Sequence, residues 1–160
     1  MDQATVAKLS DVRSGMLLLF EWAHQRDFDS LAGAALNSGA DPFCRRYAVR
    51  WLWRANDDLA MPILLRAIAD ENALVRAEAA YGLGFRRSQA RAALPVLLQA
   101  LLDPNCFVRV RAVVALGAIG DPVAKPALLL AAQSKVCGEP LRRSAVVALA
   151  RLGAMPLSDH

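Results

Sequence analysis

Residues 105–120, NCFVRVRAVVALGAIG, and residues 138–153, GEPLRRSAVVALARLG, match at an offset of 33. A second step of 33 toward the N-terminus lands on residues 72–87, NALVRAEAAYGLGFRR, where Val75-Arg76, Ala79 and Leu83 take the places of Val108-Arg109, Ala112 and Leu116. A step of 31 then reaches Cys44-Arg45, Ala48 and Leu52, and a fainter copy begins at Val12-Arg13 with Met16 and Phe20 in the Ala and Leu places. A repeat of this length marks stacked supersecondary units, none of which can bury its apolar face alone.

Each unit reads as two helices. Val108, Ala112 and Leu116 recur at i, i+4 and i+8, which lines one helical face, and Gly117 or Gly120 supplies a C-terminal stop. The second helix starts at Asp121-Pro122, a capping acceptor followed by proline in the first turn, and runs through Leu128, Leu129 and Leu130. Pro62, Pro95 and Pro126 are expected early in their second helices, and the turns Asp70-Glu71 and Asp103-Pro104 separate the units. Composition agrees: 31 Ala and 25 Leu in 160 residues, with 6% aromatics, favour helix over strand. The apolar runs are too short for a membrane span.

The Pro62…Asp70…Val75-Arg76 and Pro95…Asp103…Val108-Arg109 spacings resemble HEAT repeats, and residues 116–128, LGAIGDPVAKPAL, resemble the short bacterial type also found in phycobilin lyases. The resemblance implies an all-α fold, a right-handed α-solenoid of about four and a half HEAT-like helical-hairpin repeats. The whole chain, 1–160, is then one domain: a degenerate first repeat at 9–40, full repeats at 41–70, 71–103 and 104–136, and a partial last repeat at 137–160. Two departures stand out. Pro140-Leu141-Arg142 lacks a preceding Asp, and Met155-Pro156-Leu157 falls where another second helix would begin, so the array reads as open at that end.

Charge is uneven along the chain. Residues 1–80 carry a net −2 and residues 81–160 a net +6, a modest bias compatible with an acidic partner or nucleic acid. Cys44, Cys106 and Cys137 are widely spaced and odd in number, with only His24 and His160 as imidazoles; this supports neither a metal site nor a disulfide framework. With no signal-peptide pattern at the N-terminus, the expected compartment is a reducing cytoplasm.

Three charged or apolar sets are candidates for binding. Arg45, Arg76, Arg109 and Arg142 share one register with Asp70 and Asp103, and we expect each Arg to pair with an Asp at a repeat junction and fix the stacking. A second stripe on the first helices comprises Arg46, Arg50 and Arg54, then Ala77, Tyr81 and Phe85, then Val110, Val114 and Ala118, then Arg143, Val147 and Arg151. It is expected to form an outer, convex face, basic at both flanks and apolar in the middle, and its arginines form the alternative binding ridge. The resemblance implies that the second helices line the concave side, giving a mostly apolar groove of Leu59, Ile63, Arg66, Ala92, Val96, Gln99, Val123, Ala127 and Leu130 suited to a partner helix or extended segment.

No catalytic constellation is visible: G-x-S-x-G, H-E-x-x-H and P-loop patterns are missing, and Asp57-Asp58 reads as a helix cap. Trp51 and Trp53 among arginines resemble HEAT-like DNA glycosylases, but Trp51 takes the place of Gly82 and Ala115 and is expected to fill core. The expected function is that of a cytoplasmic protein-binding adaptor without cofactor or metal. Nucleic-acid association through the basic ridge is the second reading, a lyase-like role the third. The C-terminal helix, with Leu141, Ala145, Val146, Leu149 and Leu152 over a wide arc, is expected to favour self-association.

Overall fold

The computed structural model describes residues 1–86 and 90–154. Among them run ten α-helices: α1 (Gln3–Ser10), α2 (Val12–Gln25), α3 (Phe28–Ala35), α4 (Pro42–Trp51), α5 (Asp57–Ala67), α6 (Ala73–Leu83), α7 (Ala90–Ala100), α8 (Cys106–Ile119), α9 (Lys125–Gln133) and α10 (Gly138–Ala154). Short 3-10 turns cover Leu52–Arg54 and Pro122–Ala124. Helix starts follow local chemistry. Asp11, Asp41, Asn56, Asn72 and Asn105 each accept a first-turn backbone N–H, satisfying a donor that has no partner within the helix. Asn56, rather than the Asp57-Asp58 pair, caps α5; both aspartates lie inside its first turn. Pro62 and Pro95 sit in mid-helix, not early, and the carbonyls they leave unpaired belong to Asp58 and Arg91, both open to solvent.

The helices stack as an all-α solenoid of hairpins. Leu52, Leu83 and Leu116 are fully buried, as are Ala48, Ala79 and Ala112 one turn earlier, so the repeat pattern is the core pattern. The N-terminal copy has a different register from the one expected. Gly15 and Leu19 are the buried pair, whereas Phe20 is 54% exposed. The mismatch arises because Gly15 lets α2 approach Cys44 of α4 closely, and a larger residue in its place would not fit. Helix α1, absent from the repeat pattern, packs on α2.

The two helices of each hairpin form separate layers. In the first-helix layer α4, α6, α8 and α10 are in continuous contact. A methyl group on Gly84 would lie 2.6 Å from Ala115 Cα, and one on Gly117 2.8 Å from Ala148 Cα, so backbones nearly touch there. In the second-helix layer α5, α7 and α9 have at most marginal contact with one another. Hairpins that pinch on one side and splay on the other describe an arc, and the pinched first-helix layer is its inner side. This reverses the expected assignment: the second helices form the outer face and the stripe beginning at Arg46 the inner one.

Junctions are tied by arginine. Arg45, 2% exposed, donates Nε and Nη2 to the two Asp70 carboxylate oxygens at 3.0 Å each, and Nη2 also meets Glu71 at 3.0 Å. Arg76 repeats the fork on Asp103, at 2.8 and 3.0 Å, and donates to the carbonyls of Asp70 and Glu71. At the third junction, among the described residues, Arg109 has no carboxylate within salt-bridge distance; it donates to the Pro104 carbonyl at 3.3 Å, and its Nε is buried without a partner. Here the chain departs from the expected unpaired cysteines. Cys106 and Cys137 form a disulfide with their Cα atoms 5.3 Å apart. Sequence spacing could not reveal it, because the two residues lie 31 apart and meet only once the hairpins stack.

Candidate binding surface

The inner face is assembled from one stripe of each first helix. At its α4 end, Arg46 donates to Glu78 at 3.2 Å and Arg50 approaches the same carboxylate at 3.9 Å. Glu78 is 1% exposed, a charge tolerated at that depth because two guanidinium groups face it from the neighbouring helix. Arg50 also lies 5.6 Å from the Trp53 ring centre. In the middle, Trp53, Tyr81 and Phe85 pack together with ring centres 5.0–5.8 Å apart. Arg111 stacks 4.4 Å above Tyr81 and 4.9 Å from Phe107.

At the α10 end, Val114, Arg143, Ser144, Val147 and Arg151 line a hollow of about 210 Å³. At the other end, Phe20, Trp51 and Arg54 belong to a larger hollow of about 640 Å³ between α2 and α4. The face therefore alternates guanidinium groups with aromatic and aliphatic side chains from Arg54 to Arg151. Among the described residues Arg54, Arg111 and Arg151 have no carboxylate within salt-bridge distance. Arg54 and Arg151 are exposed to a ligand, whereas Arg111 is half-buried and stacked against Tyr81 and Phe107.

The five ridge arginines thus share the inner face, although Arg46 and Arg50 are partly engaged by Glu78 and Arg143 by Glu139 at 3.8 Å. Of the stripe's central residues, Ala77 is fully buried and contributes nothing to the surface, while Phe85 is 56% exposed. The nine residues of the expected groove do not come together. Leu59 and Ile63 are half-buried on α5, and Arg66 is exposed; Ala92 on α7, Val123 in the 3-10 turn before α9 and Leu130 on α9 are exposed on elements with at most marginal contact. Val96 and Gln99 share a depression with Ile68 and Leu102. Trp51 packs against the edge of the core as expected, half-buried, and meets Phe20 edge-on at 6.3 Å. Of the apolar arc on α10, Leu141 and Ala145 are buried and Val146 is exposed; residues 155–157 lie outside the described residues.

Two contributors carry no signal in the sequence. Arg111 differs from the other first-helix residues at its register, so no repeat announces it. Arg86, buried, joins two units by donating to the carbonyls of Leu52 and Ala55 and to Asp57 at 2.8–2.9 Å. The one free thiol, Cys44, is buried, and that burial, reinforced by Asp41 and Asp11, pushes it up from its ordinary pKa. Among the described residues no three or more His, Cys, Asp or Glu side chains are grouped to hold a metal. None of the described helices is long and apolar enough to cross a membrane.

A model of HEAT repeats matches residues 30–105 and 68–150, and the chain belongs to this family. Its structure is similar to that of human deoxyhypusine hydroxylase in complex with glycerol, with a TM-score of 0.65 and 26% identity, covering 88% of this chain and 50% of that one. The chain therefore spans about half the length of that protein. The comparison with curated proteins gave no match.

Proposed function

We propose that the chain is a non-catalytic protein-binding scaffold that holds an acidic, extended segment of a partner along the inner face. The observation that carries this reading is the alternation of unpaired guanidinium groups at Arg54, Arg111 and Arg151 with the Trp53–Tyr81–Phe85 cluster. Arginine and large aromatics are the side chains that dominate binding energy at protein interfaces. Carboxylates spaced along an extended strand would meet the arginines bidentately, while apolar residues between them would cover Phe85 and Val114.

The expected groove on α5, α7 and α9 is a weaker candidate, because its residues lie on the splayed outer layer. The cytoplasmic expectation came from the N-terminal sequence, and the Cys106–Cys137 bond weighs against it, since a persisting disulfide suits an oxidising compartment better. The test compares capture of one partner by the wild-type protein, by an Arg54→Glu/Arg111→Glu/Arg151→Glu variant and by an Ile63→Asp/Val96→Asp variant. Loss in the first variant alone supports the reading, and loss in the second alone contradicts it. If the captured partner is nucleic acid, affinity falls steeply with salt as counterions are released, and the nucleic-acid reading replaces this one.

A further inference from the structure

A second binding feature lies at the α2 end of the inner face, in the hollow lined by Phe20, Trp51 and Arg54. It opens between α2 and α4 because the two helices diverge from their N-terminal to their C-terminal ends. Near its start α2 comes so close to α4 that a methyl on Gly15 would overlap the Cys44 sulfur. Toward the C-terminal ends Trp51 and Phe20 stand between the helices, their rings 6.3 Å apart and inclined at 75°. Trp51 occupies the register held by Gly82 on α6 and Ala115 on α8, where first helices pack closely. A large ring at that place holds the wedge open, to about 640 Å³, within the roughly 300–1,000 Å³ range of small-molecule sites.

The walls carry three basic groups against one acid. His24, Arg26 and Arg54 line the hollow, and Glu21 is the single carboxylate. Neither Arg26 nor Arg54 has a carboxylate within salt-bridge distance among the described residues, and the Arg54 guanidinium lies 5.8 Å from the Trp51 ring centre. Arg26 closes α2 in the left-handed region, φ 58°, a place where glycine or asparagine is favoured. An arginine there keeps a guanidinium at the rim against the backbone preference. Glu21 accepts a hydrogen bond from Gln25 at 3.3 Å, which leaves its second oxygen free.

We propose that this hollow binds a nucleoside phosphate whose base carries an exocyclic amine. The base stacks in the corner formed by Phe20 and Trp51, which covers the exposed Phe20 ring. The phosphate takes charge-assisted hydrogen bonds from Arg26 and Arg54, whose planar forks match its oxygens. The free oxygen of Glu21 accepts from the amine and so separates adenine, cytosine and guanine from uracil. This site shares Arg54 with the partner reading and otherwise uses residues, Phe20, Glu21 and Arg26, that the partner reading does not.

Calorimetric titration of the full chain tests it, with AMP, UMP, adenosine, inorganic phosphate and a single-stranded oligoadenylate as separate titrants. The proposal expects saturable AMP binding, at least tenfold weaker binding of adenosine and of phosphate alone, and weaker UMP. Arg26→Glu and Phe20→Ala should each weaken AMP at least tenfold without loss of helicity, whereas Arg151→Glu, in the other hollow, should leave it unchanged. Oligoadenylate binding more than tenfold tighter than AMP, still sensitive to Arg26→Glu, would make the ligand a nucleic-acid strand; equal or weaker binding would make it a free nucleotide. No saturable AMP heat, AMP binding no tighter than phosphate, or an Arg26→Glu variant that binds like wild type overturns the proposal.

Discussion

Cys137 is bonded to Cys106 within three residues of the repeat positions at which Asp103 meets Arg76 one unit earlier, and both links join the loop before a first helix to the first helix of the preceding unit. The third junction has lost its aspartate, and a covalent bond stands there in place of the ionic fork. Cys137 and Gly138 are consecutive left-handed residues, φ 65° and 63°.

Opening that bond should therefore loosen one end of the array. A Cys106→Ser/Cys137→Ser variant, or the reduced protein, is expected to lose about 3–4 kcal/mol of stability, the amount associated with closing a loop of this size. Because solenoid units contact only their neighbours, the loss should be local. Hydrogen exchange is expected to quicken in α10 and α9 and to stay unchanged in α4 and α6.

The ionic junctions should differ sharply with depth. Arg45→Ala leaves Asp70, itself 12% exposed, as an uncompensated charge, and is expected to cost about 3–5 kcal/mol. Arg142 pairs with Glu139 at the surface, where such pairs contribute about 0–1 kcal/mol, so Arg142→Ala should be nearly silent. Urea denaturation of the two variants side by side checks the contrast.

Acid should reach the second junction. Burial opposes the charge on Asp103, but the Arg76 fork and the Asn105 N–H outweigh it and hold the carboxyl below its ordinary value of 3.8. A depressed folded pKa gives stability that is present above the unfolded value and disappears as pH falls through the folded one. Denaturation midpoints of wild type and Asp103→Asn should differ at pH 6 and converge as pH drops below about 3.8.

Core positions read from the repeat carry packing energy directly. Leu83→Ala and Leu116→Ala, both at fully buried sites, are each expected to cost about 2–5 kcal/mol in chemical denaturation. A cost near that of a surface change, within about 0.5 kcal/mol, would mean that these leucines do not face the core.

The repeat was legible because Ala79, Leu83 and their equivalents recur with the helical period, and burial of one face is what that period encodes. The Arg76–Asp103 fork was legible too, since its partners recur at one spacing. The layer order was not: whether first or second helices lie inside depends on how closely neighbouring backbones approach, which Gly84 against Ala115 and Gly117 against Ala148 decide. A helical wheel treats each helix alone and carries no term for that approach. The same limit hid the disulfide and the Trp53–Tyr81–Phe85 cluster, both of which bring together residues from different units. In the faint first copy, a one-residue slip put the half-buried Met16 and the exposed Phe20 in the places that Gly15 and Leu19 take in the core.

Site-specific photo-crosslinking in the native cell tests binding along the inner face most directly. A benzophenone amino acid placed at Phe85 or Val114 on the inner face, and at Ile63 or Val96 on the second-helix layer, reports which surface a partner touches, whatever that partner is. Binding along the inner face predicts a discrete protein adduct from positions 85 and 114 and none from 63 and 96. Adducts from 63 and 96 alone would contradict it and return the binding surface to the second helices.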